Sequence, residues 1–100
     1  MRPVGFGEAL PAGTRLTLFS EDKPDRFFRV IKFWMDETMG ASLGLGIGVP
    51  SYQVEDEEGR THLLLHFPIE EENEDRRCLW RPDQAGFHYR SIFDGALVED

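Results

Sequence analysis

Turn-forming residues recur at short intervals along this sequence and leave room only for short segments of regular structure between them. The clearest case is residues 51–67, SYQVEDEEGRTHLLLHF, where Tyr52 and Val54 alternate with polar residues before an acidic turn at residues 57–59. Gly59 suits the left-handed conformation that ends a three-residue hairpin loop. This stretch therefore predicts a β-hairpin.

The return strand of this hairpin is apolar at most positions. Strict alternation puts Leu63, Leu65 and Phe67 on one face and places His62 and His66 on the opposite face. We expect the three apolar residues to face the core and the histidines to face solvent. At ~3.3 Å per residue the two histidine Cα atoms lie about 13 Å apart, so no shared metal site is predicted.

Other segments extend the same pattern. A strand is predicted within residues 10–20 and a turn at residues 20–25, around Pro24. A second hairpin is predicted in residues 78–93, CLWRPDQAGFHYRSIF, with its turn at residues 83–86. About five short strands with closely spaced turns indicate an all-β fold, either a small antiparallel barrel or a sandwich.

Residues 26–39, RFFRVIKFWMDETM, fit two structures. Their apolar side chains recur at helical spacing, and Asp22 with Pro24 suits the start of a helix. As a strand, both faces would be mostly apolar, as in a strand covered on two sides. One face would hold Phe27, Arg29, Ile31, Phe33 and Met35, and the other Phe28, Val30, Lys32 and Trp34. The β-branched and aromatic content favours the strand.

Residues 40–50, GASLGLGIGVP, interleave glycines with apolar side chains. They match neither common pattern of phosphate-binding loops, because no lysine and no following helix is present. They also carry no lysine or arginine for a membrane interface. We expect a long loop whose side chains either cover an open end of the barrel or form an exposed contact patch.

The length of 100 residues, of which 40% are hydrophobic, predicts one domain covering residues 1–100. The longest uncharged run, residues 38–54, is broken by glycines and a proline and is too short for a membrane-spanning helix. The N-terminus lacks the continuous apolar stretch of a secretory signal. A single cysteine, Cys78, agrees with a reducing compartment. We therefore expect a cytoplasmic protein.

Negative charge is concentrated in two runs. The net charge is −8, and residues 55–75 contain nine acids and one base, Arg60, so this stretch accounts for the whole imbalance. The acids are Glu55, Asp56, Glu57, Glu58, Glu70, Glu71, Glu72, Glu74 and Asp75. If the strands that carry them are neighbours, both runs are expected near one edge of the barrel.

Two interpretations of these runs follow. Nucleic-acid binders carry the opposite field, because phosphate neutralisation supplies most of their non-specific affinity, so direct nucleic-acid binding is disfavoured. The runs predict either solvated loop tips that protect strand edges or a negative surface that docks on a basic partner.

The order of a strand after PAGT, a longer apolar strand, a variable loop and SYQVEDEEGR resembles SH3-like small barrels of the bacterial Tudor and KOW type. The resemblance covers residues 11–69. Within that fold, the acidity is similar to that of CarS-type antirepressors, which bind the DNA-recognition surface of a repressor by imitating DNA. The resemblance implies a small SH3-like antiparallel barrel of about five strands and a function in transcription regulation.

No residue pattern indicates an enzyme. Cys78 follows two arginines but precedes Leu79 and Trp80 at the start of an apparent core strand, and no base is placed to activate it. Neither acidic run matches a calcium-binding loop. No catalytic residue, cofactor or metal is therefore predicted.

The sequence thus predicts a non-catalytic protein that binds and blocks a basic protein surface, such as that of a DNA-binding regulator. The nine acids would supply the electrostatic field, and Trp34 or Trp80 would act as an apolar anchor. Two other functions stay open. One is an immunity or inhibitor protein that neutralises a toxin or defence effector by the same electrostatics. The other is a peptide-binding adaptor of the SH3 or Tudor type, built on Trp34, Trp80, Phe87 and Tyr89.

Overall fold

The computed structural model describes residues 1–21, 23–42, 44, 46, 48–69, 77–82 and 93–99; for residues 23, 67–69 and 77–82 it describes the backbone. The elements are strands β1 (Arg2–Pro3), β2 (Arg15–Ser20), β3 (Lys23–Asp36), β4 (Val49–Asp56), β5 (Thr61–Ile69), β6 (Arg77–Pro82) and β7 (Gly95–Glu99), with one helix, α1 (Glu37–Ser42), between β3 and β4. The prediction of an all-β fold is confirmed, and α1 is the one helix within the described residues.

All strands described belong to one antiparallel sheet in the order β1-β7-β2-β3-β4-β5-β6. Strand β7 was not predicted from the sequence, yet it lies between β1 and β2 and pairs with both. The predicted turn at residues 83–86 and its return strand lie outside the described residues, whereas the first strand of that hairpin is β6.

Of the two structures that fit residues 26–39, the strand is the one observed for residues 26–36. The strict alternation of β3 is interrupted by a bulge, because Val30 pairs with Val54 and Lys32 pairs with Gln53. Ile31 is the extra residue, so the inward face continues at Phe33. The two faces expected for a regular strand are therefore wrong beyond residue 30.

The turn before β3 is shorter than predicted. Ser20 already pairs with Lys23, so Pro24 and Asp25 belong to the strand and not to the turn. Proline cannot donate to a ladder, and it is tolerated here beside the register shift that follows Leu18.

The predicted long loop at residues 40–50 is also shorter than expected at both ends. Its first three residues complete α1, where Asp36 Oδ1 accepts a hydrogen bond from the Met39 N–H at 2.9 Å. Val49 and Pro50 belong to β4 and are buried. Leu43, Leu45 and Ile47, whose covering or contact function was left open, lie outside the described residues.

One hydrophobic core lies on the inner face of the sheet. The N-terminal segment, residues 1–10, contributes Val4 and Leu10 to this core. It is fixed by a hydrogen bond of 2.5 Å from the Tyr52 hydroxyl to the Glu8 carbonyl oxygen and by an ion pair between Arg2 and Glu8. The core residues are Val4, Leu10, Leu16, Leu18, Phe28, Val30, Tyr52, Val54, Leu64, Phe93, Ala96 and Val98.

The β4–β5 hairpin forms as predicted, with Gly59 in the left-handed conformation at φ 82°. The expected orientation of its histidines is wrong. Val54 pairs with His62 and Tyr52 pairs with Leu64, so His62, Leu64 and His66 share the face of the buried residues of β4. Hairpin register is set by the loop, and this loop turns the histidines inward.

Candidate partner-binding surface

The first acidic run forms the tip of the β4–β5 hairpin. The Asp56 N–H donates to the Arg60 carbonyl oxygen at 2.8 Å. Asp56 Oδ1 accepts hydrogen bonds from the N–H groups of Glu58 and Arg60, both at 2.9 Å. A side chain that caps its own loop in this way is typical of Asx turns. The tip is therefore a defined structure that presents Glu57 and Glu58 to solvent.

The four acids of this run differ in how far they are neutralised. Glu55 forms an ion pair with Arg29 at 2.9 Å, and Glu58 forms an ion pair with Arg60. Glu57 makes no hydrogen bond or ion pair with any residue in the described ranges. The tip therefore carries less free negative charge than the sequence implies, and the free charge is at Glu57.

Asp56 is a structural residue rather than a surface charge. Its Oδ2 lies 2.7 Å from His62 Nε2, and the two side chains are only 9% and 10% exposed. The hydrogen bond from His62 and the backbone hydrogen bond from Arg60 hold the pKa of Asp56 below its ordinary value. The His62 ring also packs edge-on against the Phe28 ring, with the two ring centroids 5.6 Å apart. Asp56 is therefore not available to a partner.

A row of charged side chains crosses the outer face of the sheet next to the tip. The cross-strand pairs are Glu99 with Arg15, Arg15 with Arg29, and Arg29 with Glu55. Two like charges directly opposite each other are destabilising, and each arginine here has an acid as its other neighbour. The row is therefore close to electrically balanced.

An open groove of about 460 Å³ lies beside this row. Phe27 lines it and is 49% exposed, which is unusual for an aromatic side chain in a central strand. Because Phe28 pairs with Asp56, the last residue of β4, Phe27 lies next to Glu57, which follows Asp56 in the hairpin tip. Phe27 was not among the predicted site residues, and the one sequence signal for it was that β3 has more apolar residues than one face can bury.

The predicted tryptophan anchors lie elsewhere. Trp34 is half-buried and pairs with Ser51, towards the opposite end of the β3–β4 ladder from the tip, and the Lys32 ammonium lies 5.6 Å from its ring centroid. The backbone of Trp80 pairs with His66 in the β5–β6 ladder. The tip therefore has Phe27 beside it and not Trp34.

The second acidic run, Glu70, Glu71, Glu72, Glu74 and Asp75, lies outside the described residues. The residues that flank it are described: Ile69 ends β5, Arg77 begins β6, and the two pair with each other. The tip joins β5 at Thr61, at the other end of that strand. Successive loops of an antiparallel meander alternate between the two ends, so adjacent strands do not bring the flanks of both runs to one edge.

Comparison with protein-family models, with curated proteins and with solved structures found no match for this chain.

Two other kinds of functional feature are absent from the described residues. No three histidine, cysteine or carboxylate side chains within the described ranges gather closely enough to hold a metal ion. No helix in the same ranges has the length and apolar character that crossing a membrane requires.

Proposed function

We propose that this chain is a non-catalytic, cytoplasmic interaction protein that binds a basic surface of a partner protein and blocks it. The observation that carries the proposal is an exposed aromatic side chain, Phe27, directly beside an exposed acidic hairpin tip. Protein interfaces commonly combine a central aromatic anchor with a polar rim. The net charge of the whole chain, −8, favours association with cationic partners and accelerates it.

The proposed partner is a nucleic-acid-binding regulator. Its phosphate-binding face is basic, so a chain that covers this face prevents it from binding DNA. The acidity of the chain is similar to that of CarS-type antirepressors, and this resemblance is the basis for proposing the same class of partner. An adaptor built on Trp34 is less well supported, because the Lys32 ammonium already lies over that ring.

The test starts from the tagged full chain, purified from the cells that produce it. We compare wild type with Glu57→Gln/Glu58→Gln and with the control Glu21→Gln/Glu37→Gln. The control removes the same charge from exposed acids that do not line the groove. We expect a basic protein to be captured by wild type and by the control, and to be lost with the tip variant.

The purified chain and its captured partner are then used to test the mechanism. We expect Kd, measured by calorimetry, to rise at least about tenfold between 50 and 300 mM salt, because exposed charges are screened over this range. We also expect the partner to release its DNA in a mobility-shift assay when the chain is added. A flat salt response contradicts the proposal. A captured toxin whose activity is blocked favours the inhibitor alternative over the regulator.

A further inference from the structure

The aromatic rings on β3 differ in whether the chain supplies them with a cation. The Arg26 guanidinium carbon lies 5.5 Å from the centroid of Phe28, and the Lys32 ammonium lies 5.6 Å from that of Trp34. Phe27 has neither a cation over its ring nor a ring contact with any residue in the described ranges, although it is half exposed. Its π face is therefore open to a ligand.

Among the described charges around Phe27, the Glu57 carboxylate is available to a ligand. Arg29 is paired with Glu55, and Arg15 has Glu99 as its cross-strand neighbour. Glu57, which follows the residue paired with Phe28, has no partner among the described residues. An open aromatic face beside a free carboxylate is a site for a cation.

The balance of charge along the groove excludes the opposite type of ligand. Besides the largely buried Asp56, three acids line it, Glu55, Glu57 and Glu99, against two bases, Arg15 and Arg29. Because each arginine already has an acidic neighbour, a phosphate or carboxylate would meet a net negative field here.

We propose that this groove takes an arginine side chain of the basic partner, with the guanidinium stacked on the Phe27 ring and hydrogen-bonded to the Glu57 carboxylate. This inference rests on the proposed function and names the side chain that the surface recognises. Arginine is favoured over lysine because a planar guanidinium stacks on an aromatic face and matches a carboxylate with two parallel N–H groups. A lysine ammonium offers a point charge without that plane.

The experiment titrates a capped hexaarginine peptide into the isotope-labelled full chain and follows backbone amide shifts by NMR. The variants are Glu57→Gln and Phe27→Leu, and the matched controls are Glu58→Gln and Ile31→Ala. Glu58 is a neighbouring exposed acid in the same loop, and Ile31 is an exposed apolar residue of β3 that does not line the groove. Leucine keeps the apolar bulk of Phe27 and removes its π face.

We expect hexaarginine to shift the amides around Phe27 and Glu57. Loss of a cation–π contact or of an exposed ion pair raises Kd by about threefold each. Phe27→Leu and Glu57→Gln should therefore each raise Kd by about threefold. Each control should raise Kd by less than about 1.5-fold. Capped hexalysine should bind about threefold more weakly than hexaarginine.

The outcomes separate this inference from the proposed function. If hexaarginine binds wild type but Glu57→Gln and Glu58→Gln weaken it equally and Phe27→Leu has no effect, the arginine site is wrong and a charge-driven surface remains. Equal affinity for hexalysine also overturns the arginine site. If wild type binds neither peptide at low salt, both the site and the proposed function are contradicted.

Discussion

His62 donates a hydrogen bond from Nε2 to Asp56 Oδ2 across the base of the β4–β5 hairpin, at a distance of 2.7 Å. The direction of this bond follows from the lowered pKa of Asp56, because an ionised carboxylate at neutral pH only accepts. The other oxygen of the same carboxylate caps the loop. One buried side chain therefore fixes both the hairpin register and the conformation of the acidic tip.

Replacing Asp56 with asparagine should lower the thermal stability of the protein. The amide cannot accept all three hydrogen bonds that the carboxylate oxygens accept from Glu58, Arg60 and His62. We expect a clear decrease in Tm by circular dichroism. The matched control is Glu57→Gln, which makes the same acid-to-amide change one residue later and should leave Tm unchanged. An equal Tm for the two variants would show that the cap contributes nothing.

Stability should fall as the pH is lowered from about 6.5 to about 4, because of His66. Burial lowers the pKa of His66 from 6.5 to about 4, so within this range the unfolded chain binds a proton that the folded chain does not. Stability therefore increases with pH across the window, by on the order of 3 kcal/mol in total. His66→Leu should remove this slope in urea-unfolding midpoints measured between pH 4.5 and 6.5. An unchanged slope in the variant would assign it to other groups.

A second loss of stability should follow at lower pH. The hydrogen bonds from the Arg2 side chain and from the Gly5 N–H lower the pKa of Glu8 from 4.5 to about 2. Its contribution is present above pH 4.5 and is lost as the pH falls towards 2. Glu8→Gln should flatten the stability profile in this lower window only, and His66→Leu should leave this window unaltered. The two variants thus serve as controls for each other.

Replacing Tyr52 with phenylalanine should remove one buried hydrogen bond and leave the packing intact. The Tyr52 side chain is fully buried, and its hydroxyl donates to the Glu8 carbonyl oxygen at 2.5 Å. The expected decrease in the free energy of unfolding is about 0.5–1.5 kcal/mol. Burial raises the pKa of this phenol, so wild type should contain a tyrosine that ionises only above the ordinary range in an absorbance titration. A variant as stable as wild type in urea would argue against the bond.

Glycine at position 59 should be required for its backbone conformation. Its φ is 82°, and alanine there costs about 1–2 kcal/mol relative to a conformation with negative φ. Gly46→Ala is the matched control, because Gly46 also has no neighbour within 4 Å of an added Cβ and does not have positive φ. We expect a lower urea midpoint for Gly59→Ala only. Equal midpoints would mean that the hairpin loop adapts without strain.

The hairpin shows how far local sequence determines the fold. Tyr52, Val54 and Gly59 were enough to predict two strands and their turn, because side-chain alternation and positive φ are local properties. The histidines of β5 were predicted to face solvent and are buried, whereas Leu65 is buried as expected. Pairing Val54 with His62 is a consequence of loop length, whereas the choice of Leu63 and Leu65 as core residues relied on hydrophobicity alone.

The candidate surface, in contrast, depends on contacts that local sequence does not predict. Counting charges located the acidic tip, but no sequence rule reveals that Glu55 meets Arg29, or that Asp56 is buried against His62. Those partners are separated in sequence and come together through the β3–β4 ladder and the turn. The same ladder places Phe27 beside Glu57, which makes an apolar residue of a strand part of the surface.

By itself, the sequence determined the β class, the turn at Gly59 and the excess of negative charge, and it favoured a strand at β3, since these depend on residue type and near neighbours. Only the tertiary structure decided that β7 lies between β1 and β2, that a bulge at Ile31 shifts the inner face, and which acids remain free. These properties depend on register and on contacts between distant segments. A shift of one residue in pairing exchanges the two faces of a strand, so the exposed chemistry is decided only when the whole sheet forms.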